Sequence, residues 1–351
     1  METLSKEFGL AVRNVTIGGT KLLRAIKAHT QVRLLLEGDP ELCGWGIDTR
    51  LIGSYARHTA HYPGKDVDVF LRFARLSVAD DPGVVYAAVA RVLIDKYGEK
   101  DVDPGGRVTK QPRSLKIAFS DPDEPDSDLS FSIDAVPAVP WGDHWGIPNR
   151  DTDRWQDPEP ASRWVRTSPI EFADRSDQLS TGPDSPTVGG DNAYCPVVRL
   201  LRQVRRVHLG QDRPGGLYTE VAVYHAWQQG AVAGDSWAQL LAESLREVAR
   251  QFRGAASTGL ADPVLEAPMK PALTPEHWNN ASNVFERLAG MADEALAAER
   301  CRAAYLWRQI LGENDLGPVL PLPPGCDANG FPVTSLAAVA YTGSDEPRGF
   351  A

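Results

Sequence analysis

The sequence is poor in the residues that staple or anchor a chain. Its four cysteines, Cys43, Cys195, Cys301 and Cys326, stand far apart and form no C-x-x-C pair. That spacing argues against structural zinc and against a disulfide framework, so free buried thiols are expected. No apolar stretch reaches the roughly 18 residues that cross a bilayer, and Met1 to Leu10 lacks the apolar centre of a secretion signal. The expectation is a soluble, intracellular (cytoplasmic) protein with no membrane partner. Basic charge is also short: 37 Lys and Arg stand against 47 Asp and Glu, a formal net charge of −10. Such a field repels polyphosphate, because non-specific nucleic-acid binding depends on Lys and Arg releasing counterions. The concentrated basic stretch is Arg199, Arg202, Arg205, Arg206 and Arg213, where a phosphate-facing role competes with a solvated helix face. There is no internal repeat. At 351 residues and 42% hydrophobic, the chain fits one large domain or two closely joined ones and is not globally disordered.

Two rhythms run through what is present. Leu22, Leu23, Ile26, His29, Val32 and Leu36 recur at steps of three and four up to Gly38-Asp39-Pro40, which predicts a helix. Thr49 to Ile52 reads as a short strand broken by Gly53-Ser54, and Asp66 to Leu71 as a strand alternating charged and apolar. Asp81-Pro82 opens and Gly98 closes a helical run. Further strands are expected at Ser114 to Phe119 and Leu129 to Val136, joined by the acidic turn DPDEPDSD. From Trp141 to Gly190, Pro, Asp, Ser and Trp leave little periodicity and predict ordered connecting loops, pinned by Trp141, Trp145, Trp155 and Trp164. Helices are expected at 193–209, 217–229, 236–252 and 275–311, then an extended tail. The expected class is α+β: a mixed-sheet core with an N-terminal helix over 1–190, a helical C-terminal lobe over 191–312, and a tail over 313–351.

The chemistry gathers on two strands. A side-chain period of two puts Asp66 and Asp68 on one face of their strand. The same arithmetic turns Leu129, Phe131 and Ile133 to a core and leaves Ser130, Ser132 and Asp134 on the opposite face. If the two strands are neighbours, three carboxylates converge. Like charges about 4 Å apart repel by roughly 1 kcal/mol in water and about four times that when partly buried, so a compensating cation is expected. Oxygen ligands suit Mg²⁺, and a pair of such ions serves phosphoryl or nucleotidyl transfer. D-x-D also occurs at Asp101/Asp103, Asp121/Asp123, Asp126/Asp128 and Asp151/Asp153, beside Pro or Gly in loop-like sequence, where it reads as solvated turns. Only Asp66/Asp68 leads into Val-Phe-Leu. Upstream, the turn at Gly53-Ser54 offers a hydroxyl and backbone N–H groups to phosphates.

Together, Leu51-Ile52-Gly53-Ser54-Tyr55-Ala56-Arg57-His58-Thr59, Asp66-Val67-Asp68-Val69-Phe70 and Phe131-Ser132-Ile133-Asp134-Ala135-Val136-Pro137-Ala138 resemble the polymerase-β-like nucleotidyltransferase superfamily. Within it the sequence is most similar to the branch of 2′-5′ oligoadenylate synthetase, cyclic GMP-AMP synthase and the bacterial CD-NTases of anti-phage (CBASS-type) signalling. Val197 to Arg202, Leu217 to Glu220 and Ala303 to Gly312 resemble the family's C-terminal helices.

The resemblance implies Asp66 and Asp68 as ligands of two Mg²⁺ ions, with Mn²⁺ as a substitute, and Asp134 on the ion that activates the acceptor hydroxyl. It places Gly53 and Ser54 at the donor triphosphate, Tyr218 on the donor base, and Arg202 where many relatives carry a phosphate-contacting Lys. Leu217 departs from a frequent phosphate-binding Ser. The implied product is a cyclic oligonucleotide second messenger made from NTPs, ATP among them, and read by a separate effector protein. No nucleic-acid activator is expected. The C-terminal Ala351 suits conjugation by a ubiquitin-like transfer enzyme. Alternatives are a template-independent RNA-tailing nucleotidyltransferase, which calls for a basic RNA track, and a non-catalytic nucleotide-binding scaffold of the same fold.

Overall fold

The computed structural model describes residues 4–120 and 129–333, so the acidic turn 121–128 and Ala351 lie outside the described residues. The chain divides into two units. One is built from the chain up to Gly19, Pro183–Leu260 and the part from Pro268 on; the other from Thr20–Gly182 and Ala261–Ala267. The first helix, α1 (Ser5–Asn14), for which the sequence set no expectation, belongs to the former.

In the sheet-bearing unit, α2 (Gly19–Glu37) forms as its periodicity predicts, but only His29, Val32 and Leu36 of that pattern are buried, together with Ala25 and Ala28, while Leu22, Leu23 and Ile26 are exposed. Asp39 caps α3 (Pro40–Gly44) by accepting the N–H groups of Glu41 and Leu42, both at 3.1 Å. Strand β1 (Ile47–Ile52) pairs antiparallel with β2 (Asp66–Phe73), and the one-turn helix α4 (Gly53–Ala56) follows β1 directly. Helix α5 (Pro82–Tyr97) starts on Asp81, whose carboxylate accepts the Gly83 N–H at 2.7 Å, and stops at Gly98. Then come β3 (Val108–Lys110), β4 (Leu115–Phe119) and β5 (Phe131–Trp141), in the sheet order β1-β2-β5-β4-β3. Only the β2–β5 pairing on that path is parallel. Val67, Val69, Leu71 and Phe73 are fully buried on one face of β2, which leaves Asp66 and Asp68 on the other.

The segment after Trp141 departs from the loop expectation. β6 (His144–Pro148) pairs with β5 and with β7 (Trp164–Thr167), making a seven-stranded sheet, and α6 (Pro160–Arg163) and α7 (Pro169–Thr181) flank β7. The inward face of α7 is Phe172, Ser176 and Ser180, a helical spacing that two serines hide from any apolar count. β5 also runs past Val136, through Pro137 and Pro140, because Ala138 and Val139 are fully buried there. The tryptophans do pin this segment: the indole N–H of Trp164 donates to the Asp80 carbonyl at 3.2 Å and that of Trp155 to the Asn149 carbonyl at 2.8 Å.

The other unit is helical: α8 (Tyr194–Leu209), α9 (Gly216–Gln228), α10 (Trp237–Thr258), α11 (Pro275–Ala297) and α12 (Arg300–Leu311). The expected helix 275–311 is two, parted by extended backbone at Ala298 and Glu299, where the sequence carries no breaker. Phe8 of α1 is fully buried with its ring edge-on to Trp307, centroids 5.1 Å apart. The described part of the expected extended tail is packed. Val319 and Leu320 are fully buried, and a Cys301–Cys326 disulfide ties the segment to α12. This corrects the expectation of free thiols, which Cys43 and Cys195 alone retain. Chain return in three dimensions, rather than local spacing, brings the pair together. Among the described residues, no helix is long and apolar enough to cross a membrane.

Candidate active site

The parallel register of β2 on β5 sets Asp66 opposite Ser132 and Asp68 opposite Asp134, while Ile52, the last residue of β1, stands opposite Asp68 on its other side. Adjacent strands lie about 4.8 Å apart, so three carboxylates share one small area of one sheet face. The same face continues into Phe70, Val136 and Ala138, which pack with Trp145 and Ile170 and anchor the carboxylate end of the sheet.

The chain leaves β1 through Gly53, with φ at +69°, and turns at once into α4. A Cβ at residue 53 would lie 2.0 Å from Oδ2 of Asp68, so only glycine admits that carboxylate. Ser54 follows in the first helical turn, and its carbonyl accepts the N–H groups of Thr59 and Ala60 at 2.9 and 3.0 Å. Arg57 lies with its guanidinium carbon 4.6 Å from the centroid of the Phe172 ring, tying α4 to α7. His58 and His61 lie in the connection from α4 to β2.

The three carboxylates differ in state. Burial pushes Asp66 up, but the Ser132 hydroxyl, donating at 2.7 Å, and the Lys116 ammonium at 3.0 Å outweigh it and hold the carboxyl below its usual range. Asp134 is pushed up to about 6 by burial; the charge of Asp66 adds to this and Lys116 opposes it. Lys116 is itself held above its ordinary value: burial pulls it down, and Asp66, Asp134 and Asp68 more than reverse that.

Among the described residues, no group of three His, Cys, Asp or Glu side chains is assembled to hold a metal ion as it stands. Oδ1 of Asp66 accepts from Lys116 and Ser132. The donor set nevertheless fits a hard divalent cation. All three side chains offer oxygen, they are register neighbours, and Oδ1 of Asp134 is buried without a hydrogen-bond partner.

No family model matches the sequence, and no curated protein matches it. Solved structures do. CdnC of Escherichia coli MS115-1, solved with ATP, is 15% identical with a TM-score of 0.63, covering 88% of this chain and 98% of its own. CdnG of Bradyrhizobium diazoefficiens, a CD-NTase in complex with GTP, is 14% identical with a TM-score of 0.62, covering 87% and 94%. The STING-associated CdnE c-di-GMP synthase from Capnocytophaga granulosa is 13% identical with a TM-score of 0.57, covering 82% and 86%. The chain has the CD-NTase fold.

The remaining residues expected at a CD-NTase nucleotide site lie in the helical unit. Nη1 of Arg202 on α8 stands 3.4 Å from Oε2 of Glu220 on α9, a carboxylate with no solvent exposure. Tyr218 is buried; its hydroxyl donates to the Pro271 carbonyl at 2.5 Å and its ring lies edge-on to Trp278. Leu217 is 45% exposed. Arg205 turns inward, donating to the carbonyls of Pro214, Gly210 and Asp212, and so clamps the loop after α8.

Sequence reasoning passed over Lys116, Ser132 as a partner of Asp66, and Glu220. The signal for Lys116 was present: Leu115 and Ile117 are fully buried, and alternation sends the residue between them to the carboxylate face.

Proposed function

We propose that the chain is a metal-dependent nucleotidyltransferase that joins ribonucleoside triphosphates into a short cyclic oligonucleotide, a second messenger for a separate effector in anti-phage (CBASS-type) signalling. The observation that carries this reading is the pairing of Asp68 with Asp134 across parallel strands, beside a glycine turn that makes room for the Asp68 carboxylate. The CD-NTase fold supports it, as do the ATP and GTP bound by CdnC and CdnG.

In this reading Asp66 and Asp68 hold Mg²⁺, or Mn²⁺ in its place, with Asp134 as a third ligand. The ions supply charge neutralisation at the triphosphate and lower the pKa of the attacking hydroxyl. The resemblance assigns Asp134 to the ion that would activate the acceptor hydroxyl. Gly53 and Ser54 present the first turn of α4, whose leading N–H groups have no acceptor within the helix, toward the donor phosphates. The family resemblance assigns Arg202, which is paired with Glu220, to the donor phosphates and Tyr218 to the donor base.

Incubation with all four NTPs and Mg²⁺ or Mn²⁺, followed by mass analysis of phosphatase-resistant products, tests the reading. A cyclic oligonucleotide, with pyrophosphate release indifferent to added duplex DNA or RNA, is expected. Homopolymer tails on added RNA would point to RNA tailing, and no metal-dependent pyrophosphate release would leave a scaffold.

A further inference from the structure

Lys116 stands on β4 in register with Asp134, reaches Oδ1 of Asp66 at 3.0 Å, and has Asp68 as well as Asp134 acting on its charge. An ordinary surface ion pair joins one cation to one anion. Here one ammonium group acts on all three carboxylates, with Lys65 adding its charge at Asp66, and together with the Ser132 hydroxyl Lys116 occupies the Asp66 oxygen that a metal ion would need.

We propose that Lys116 is the resident counter-cation of this site: it holds Asp66 while no divalent ion is present and yields the carboxylate when one enters. The inference rests on the metal-dependent reading above. Like charges on adjacent strands repel, so a cation-free protein needs a positive group among them. The same group must then oppose an incoming divalent ion, by its charge and by its hold on a ligand oxygen. Lys116 is therefore a positioning residue that trades divalent affinity for stability of the cation-free fold.

The test is Mn²⁺ binding, read as the fall in the free-ion electron paramagnetic resonance signal, together with thermal melting with and without Mg²⁺. Wild type, Lys116→Met, Lys116→Gln, Lys116→Arg and Asp68→Asn are compared. Both neutral variants are expected to bind Mn²⁺ roughly three- to tenfold more tightly than wild type. They should melt lower without cations and recover the difference when Mg²⁺ is added. Lys116→Arg should stay within about twofold of wild type, since it keeps the charge. A merely structural lysine would not raise metal affinity when removed. Unchanged or weaker binding by both neutral variants overturns the proposal, while Mn²⁺ binding that Asp68→Asn abolishes keeps the metal-site reading standing. Wild-type protein that binds no Mn²⁺ sinks both.

Discussion

Oδ2 of Asp68 occupies the space that a side chain on Gly53 would fill, 2.0 Å from the Cβ that any other residue would carry. The turn that ends β1 and the carboxylate on β2 are thus one device: the absence of a side chain at position 53 lets Asp68 stand beside the start of α4. Gly53→Ala must either push that carboxylate away or shift a backbone held at φ +69°. The expected cost is about 1–3 kcal/mol of stability. Nucleotide joining should fall at least a hundredfold, far beyond the loss of folded protein, as read from initial rates and melting on the same sample. A variant with near-native rate would mean that the position of Asp68 does not matter.

Asp66→Asn, Asp68→Asn and Asp134→Asn each replace an anionic oxygen at almost constant volume. Each should abolish product formation while the protein stays folded. Asp134→Asn should keep part of its metal–triphosphate binding through Asp66 and Asp68, whereas Asp68→Asn should lose binding and turnover together. Calorimetric titration of NTP with Mg²⁺ beside initial rates separates the cases, and a Asp68→Asn protein that still makes product at near-native rate would refute the assignment.

The raised Asp134 carboxyl makes a signed prediction about stability. Its value of about 6 in the fold exceeds that of an unfolded Asp, so folding disfavours its ionised form. The penalty is absent below pH about 4, grows between about 4 and 6, and is fully present above. In divalent-free buffer, Asp134→Asn should therefore gain about 1–3 kcal/mol at neutral pH after allowing for partial solvent screening, and nothing at pH about 4. Asp66 runs the other way: its lowered carboxyl contributes stability at neutral pH that is lost as pH falls through its folded value. Denaturant titrations across this range check both, and a gain for Asp134→Asn that persists unchanged into acid would contradict the burial account.

The Cys301–Cys326 bond closes a loop with a sequence separation of 25. Cys326→Ser should lower stability by about 3 kcal/mol through the freedom returned to the unfolded chain. A reducing agent should lower the melting temperature of wild type and leave Cys326→Ser unmoved. Equal sensitivity of both proteins to reductant would show that the pairing carries none of the stability.

What the sequence by itself determined is the alternation that sends Asp66, Asp68 and Asp134 away from the core, and the helices whose ends carry Asp39, Asp81 and Gly98 as signals. These are local matters of period and capping, and one strand or one helix expresses them. Tertiary structure decided that β2 and β5 run side by side and parallel, in a register that sets Asp68 against Asp134, because strand order depends on how the crossover closes over the core. It also decided that Lys116 meets Asp66, that Cys326 returns to Cys301, and that the proline-rich stretch after Trp141 completes the sheet. In each case the partners are far apart in the chain, and the free energy that joins them comes from burial and pairing across the sheet or between helices, which no window of neighbouring residues contains.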